Sequence, residues 1–140
     1  IVIHEAEAPV LERGDDRMTA AFWYGIRFKP LPVDIALTGE RQSLFAGGSE
    51  FVCLHTPGHS PGSISVYVDH HGTRILFGQD IHGPFLEEFG ADLAAWTRSM
   101  HQLLDLKADI LCEGHFGVYQ PNTRVTAYIE RYLDEYGEEQ

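Results

Sequence analysis

Between Val33 and Phe77 the apolar positions fall in short runs bounded by Gly, Pro, Asp and Ser, the pattern of β-strands separated by turns. The runs are Val33 to Leu37, Gln42 to Phe45, Glu50 to His55, Ser63 to Asp69 and Arg74 to Phe77. Thr38-Gly39-Glu40 and Gly47-Gly48 read as turns, and His70-His71-Gly72-Thr73 reads as a hairpin. Together they predict a meander that ends at Asp80. The period then changes. Leu93, Trp96, Met100, Leu103 and Leu104 recur three and four apart, which predicts a helix over Ala91 to Lys107 with one buried face. Asp109 to Cys112 returns to strand. Pro121 opens a last helix with Val125, Tyr128, Ile129, Tyr132 and Leu133 facing inward, and Asp134 to Gln140 follows as a solvated acidic tail. Ahead of the meander, Ile1 to His4 reads as a strand and Glu5 to Arg13 as a helix ended by Gly14. Asp15 to Ile26 starts a further helix, which Lys29-Pro30-Leu31-Pro32 breaks.

Phe22, Trp23, Tyr24 and Phe28 crowd that last segment and carry two readings: a packed insertion covering the core, or the wall of a substrate pocket or subunit contact. The predicted helices can cover one side of the predicted sheet only. With 140 residues the chain is one domain, residues 1–140, with enough length for a core but not for a two-layer enzyme with both sheets complete.

Charge narrows the partners. Ten Lys and Arg against 21 Asp and Glu give a net charge of −11, and the basic residues are scattered, which argues against nucleic acid. Cys53 and Cys112 each sit in an apolar strand without C-x-x-C spacing and read as buried thiols; a disulfide needs their strands to be neighbours. The apolar runs are strand-sized, so neither a signal peptide nor a membrane span is expected, and the default location is cytoplasmic.

The chemistry concentrates at strand ends. Leu54-His55-Thr56-Pro57-Gly58-His59-Ser60-Pro61-Gly62-Ser63 lies between two strands, and its Pro and Gly make a helical zinc pair of His55 and His59 improbable. His55 ends a strand, whereas His59 sits at a sharp turn. Thr56-Pro57-Gly58-His59-Ser60-Pro61-Gly62-Ser63 resembles the third-histidine loop of the metallo-β-lactamase superfamily. Ile75-Leu76-Phe77-Gly78-Gln79-Asp80 is similar to that family's strand ending in a metal-bridging aspartate, and Ile110-Leu111-Cys112-Glu113-Gly114-His115 to the strand ending in its last histidine ligand.

The resemblance implies an α+β fold, an αββα sandwich of which this chain supplies mainly the C-terminal sheet-and-helix half. It also implies a two-metal site, most simply zinc, with iron or manganese as alternatives. Carried over residue by residue, His59 completes one metal's histidines, Asp80 bridges, and His115 serves the second metal. The family's first motif, His-x-His-x-Asp-His, does not occur among these residues, and Ile1 to Ala8 resembles the strand and helix start that come after that motif in the family. The expectation is therefore an N-terminally incomplete domain, completed by an N-terminal fragment or by an intimate homodimer. With three donors, each metal would have about two protein ligands, below the three of a catalytic zinc, so the 140 residues alone should bind metal weakly or not at all.

The implied activity is hydrolysis of a small ester, thioester or lactone by a metal-bound hydroxide. Asp80 and His82 are the catalytic candidates, His82 as substrate contact or proton shuttle, with a supporting or surface role as its alternative. Glu113 reads as a supporting or turn residue, His55, Thr56 and Ser60 as braces of the His59 loop, His70 and His71 as exposed, and His101 as partly exposed. The competing functions are a di-iron redox enzyme of the flavodiiron type, which resembles the same C-terminal motifs, and a metal-free scaffold.

Overall fold

A computed structural model describes residues 1–137 and shows an α+β fold built on two sheets. The smaller pairs β1 (Val2–His4) with β2 (Ile35–Leu37) in parallel, and the larger has six strands in the order β3-β4-β5-β6-β7-β8. These six are Arg41–Ala46, Ser49–His55, Ile64–His70, Thr73–Gly78, Ile110–Glu113 and Gly117–Tyr119. All neighbours are antiparallel except β6 and β7. That parallel pair needs a crossover, which α2 (Leu93–Asp105) supplies. The remaining helices are α1 (Ala8–Arg13) and α3 (Asn122–Tyr136).

Local chemistry sets these boundaries. Two-residue turns with positive φ at both positions close the hairpins at Gly47-Gly48 (57° and 80°) and at His71-Gly72 (50° and 79°), the twist that antiparallel strands favour. Asp92 caps α2 by accepting a hydrogen bond from the Ala95 amide at 2.9 Å. α1 begins at Ala8 rather than Glu5, because Pro9 belongs in a first turn, and it ends on Gly14 as expected.

The structure departs from the sequence pattern in several places. β2 is not part of the meander. Gly39, with φ of 68°, bends the chain out of the small sheet before β3 begins. Asp15 to Ile26 is not an α-helix: the Asp15 carboxylate takes the Arg17 and Met18 amides at 3.0 Å, Asp16 takes the Phe28 amide at 2.6 Å, and only a single 3₁₀ turn, Ala21–Tyr24, forms. A packed aromatic insertion is also ruled out, since Phe22, Trp23 and Tyr24 are exposed. β8 follows directly on the turn after β7, too short to register as a hydrophobic pattern. The acidic tail falls partly within α3, and residues 138–140 lie outside the described residues.

The core lies between one face of the large sheet and helices α2 and α3. Register aligns Val52, Tyr67, Leu76, Leu111 and Tyr119 across that face. Trp96, Met100 and Leu103 of α2 and Val125 and Ile129 of α3 cover it, each at most 3% exposed. On the opposite face, Cys53, Val66, Phe77, Cys112 and Val118 form one row, and Leu44, Phe51, Val68, Ile75 and Ile110 the next. The two cysteines are thus three strands apart, roughly 14 Å at sheet spacing, and remain free thiols.

Candidate metal centre

The C-terminal edge of the large sheet carries the site. β4 runs into the His59 loop, β6 into Asp80 and His82, and β7 into His115, so three strands of one sheet deliver their loops to one end. The loop from Thr56 to Ser63 is held from both sides. Ser99 of α2 donates to the Pro57 carbonyl at 2.7 Å, and the Asp92 amide donates to the Gly58 carbonyl at 2.8 Å. Ser60 and Ser63 hydroxyls bond at 2.9 Å, and Thr56 bonds Ser65 at 3.1 Å. His55 Nε2 bonds the Pro61 carbonyl at 2.8 Å while its ring stacks on buried His4 at 3.8 Å. His55, Thr56 and Ser60 each brace the loop as expected.

Gly58 is demanded by this packing. Its φ is +150°, and a Cβ there would stand 2.3 Å from the Trp96 Cβ, so only glycine lets the loop lie against α2. Asp80 turns with φ of 33°, a left-handed conformation uncommon outside glycine, which swings its carboxylate off the end of β6.

That carboxylate faces a histidine with each oxygen. Oδ1 lies 2.7 Å from His115 Nε2, and Oδ2 lies 3.8 Å from His59 Nε2. The structure thus brings His59, Asp80 and His115 together at one point. His82 joins them: donor atoms of Asp80, His82 and His115 all lie within 4.8 Å of one another. The ring of His82 is buried, 5.4 Å from the His115 ring, and its Nδ1 is 2.9 Å from Glu113 Oε1. Glu113 Oε2 accepts the amides of His115 and Phe116 at 2.7 and 2.6 Å. The sequence pattern does not assign Glu113 these partners; its one signal is a carboxylate at the end of an apolar strand, beside a candidate ligand histidine. His70, His71 and His101 are exposed and away from this group.

Imidazole and carboxylate donors in such proximity suit zinc, iron or manganese. His59 turns Nε2 towards Asp80, while its Nδ1 is buried without a hydrogen-bond partner. Above the donors opens a cavity of about 900 Å³. Val10, Leu11, Met18, Trp23, Phe28 and Phe89 make its apolar wall, and among the described residues no Lys or Arg lines it. The 3₁₀ segment is thus pocket wall, the second of its two readings.

No protein-family model matches the chain, and no curated protein matches it in sequence. Solved structures do. A mutant metallo-beta-lactamase from Cronobacter sakazakii superposes with a TM-score of 0.74 at 18% identity, covering 98% of this chain and 63% of its own. An archaeal metallo-beta-lactamase superfamily protein from Sulfolobus tokodaii gives 0.66 at 19% identity, over 99% of this chain and 58% of that one. A stereoselective inverting sec-alkylsulfatase from Pseudomonas sp. gives 0.66 at 16% identity, over 79% of this chain and 19% of that one. The chain therefore has a metallo-beta-lactamase-like fold and spans about three fifths of the length of the first two structures it resembles.

Proposed function

We propose that this chain carries part of the active centre of a metal-dependent hydrolase acting on an uncharged ester, thioester or lactone. The observation that carries the reading is the meeting of Asp80, His82, His115 and His59 at the floor of an apolar cavity. The neighbouring structures named as hydrolases, two acting on different bonds, support the reaction class and leave the substrate to the cavity.

His59, Asp80 and His115 would hold divalent cations, with Asp80 able to offer one oxygen to each side. A bound divalent ion supplies Lewis-acid polarisation of the scissile oxygen and a water made acidic enough to act near neutral pH. This chain's own residues do the rest. The apolar wall receives an acyl or ring substituent and excludes water. A wall without Lys or Arg gives no anchor for a carboxylate, phosphate or sulfate group, which favours neutral substrates over anionic ones. His82, buried beside the donors, is placed to contact the substrate or to pass on a proton.

Completion of the two-metal site takes donors from outside these 140 residues, supplied by an N-terminal fragment or a second copy, and we place the assembly in the cytoplasm. Among the described residues no helix is long and apolar enough to cross a membrane. The test is an esterase and lactonase assay on the protein as it assembles in cells expressing its gene, with a native mass spectrum reading chains and metals together. The expected result is turnover that chelator abolishes, zinc restores and Asp80→Ala removes. Turnover indifferent to chelator, or none by the metal-loaded assembly, overturns it.

A further inference from the structure

We propose that His82 is a third donor, with Asp80 and His115, to one divalent cation held by this chain by itself, and that Glu113 is the positioning residue that aims both histidines. The inference rests on the metal-dependent reading above. It alters the ligand count and replaces the substrate or shuttle role of His82: two imidazoles and a carboxylate are the three protein donors that a catalytic zinc site or a non-haem iron site requires, with positions left open.

The Glu113 carboxylate holds the group together, and its side chain is 0% exposed. Its Oε2 accepts two backbone N–H groups, from His115 and Phe116, at 2.7 and 2.6 Å. With Glu113 as the carboxylate, which only accepts, the 2.9 Å contact at Oε1 is donation by His82 Nδ1–H. In the neutral ring the lone pair then resides on Nε2, the nitrogen left to bind. A histidine that donates one ring N–H to a carboxylate and offers the other nitrogen is the arrangement that fixes tautomer and ring orientation at metal sites. The same carboxylate fixes the turn that presents His115, whose side chain is 61% exposed. One buried group thus touches both histidines whose donor atoms lie within 4.8 Å of one another and of Asp80. A buried polar pair that only braced the turn would use Nδ1 in the same way and would leave Nε2 indifferent to metal.

The test is cobalt(II) titration of the purified 140-residue chain, read by visible absorption, beside long-range nitrogen-15 NMR of the histidine rings during zinc addition. One equivalent of cobalt is expected to bind. Glu113→Gln should bind about 10–100-fold more weakly, and His82→Ala more weakly still. In the wild-type chain zinc should shift His82 Nε2 while Nδ1 keeps its proton, and in Glu113→Gln the ring should show mixed tautomers. If Glu113→Gln does not fold, the wild-type His82 Nε2 signal decides alone. No cobalt uptake at millimolar concentration, undiminished uptake by His82→Ala, or an unmoved Nε2 overturns the proposal. Each of those leaves the hydrolase reading standing on its other donors, whereas cobalt bound as described in an assembly without turnover sinks that reading alone.

Discussion

At Gly58 the fold has no room for a methyl group, and the position shows how tightly the His59 loop is tied to the core. Gly58→Ala must push the loop away from Trp96, costing about 1–3 kcal/mol in a urea titration, and must carry His59 away from Asp80. An alanine tolerated without loss would show that the loop floats. His4 makes a separate prediction. Burial first, and the neighbouring His55 ring second, hold its pKa below the usual 6.5. The folded state therefore prefers neutral His4 while the unfolded chain takes up a proton near 6.5. This contribution to stability is complete above that pH, falls as pH drops through it towards the lower folded value, and is level below. Urea midpoints at pH 7.5 and 5.5 should converge in His4→Gln relative to wild type; equal slopes in the two proteins would remove His4 as a cause.

Among the elements, the segment from Asp15 to Phe28 forms only one 3₁₀ turn and lends Met18, Trp23 and Phe28 to the cavity wall. Trp23 is 53% exposed, so Trp23→Ala should change stability by less than about 0.5 kcal/mol. It should raise KM for bulky esters with little change for the smallest, the mark of lost uniform binding. A change in kcat alone would take Trp23 off the wall. This is also where sequence patterns read worst, for a physical reason: Asp15 and Asp16 capture local amides, a competition that apolar spacing does not register. The strands other than β8 and both long helices were legible, because burial on a sheet or helix face imposes a period on residues such as Val52 and Leu54, or Trp96 and Met100. His59, Asp80 and His115 were legible through the short motifs that hold them. The bond between His82 and Glu113 was not, since 31 residues separate the pair and only the parallel pairing of β6 with β7 brings them together.

In the whole molecule the two faces of the large sheet are unequal. Helices α2 and α3 seal one, whereas on the other Phe77 stays 42% and Val118 59% exposed within continuous apolar rows. Soluble proteins seldom leave such a face to water, so a further layer of polypeptide is the expected cover. On the proposed hydrolase reading, a second metal would draw its donors from such a layer as well. The purified chain should then associate with rising concentration in sedimentation velocity, through this face. Phe77→Ser with Val118→Ser should shift it towards monomer, while the urea midpoint stays nearly unchanged because neither side chain belongs to the sealed core. A wild-type chain that stays monomeric at every concentration would mean that the rows tolerate water.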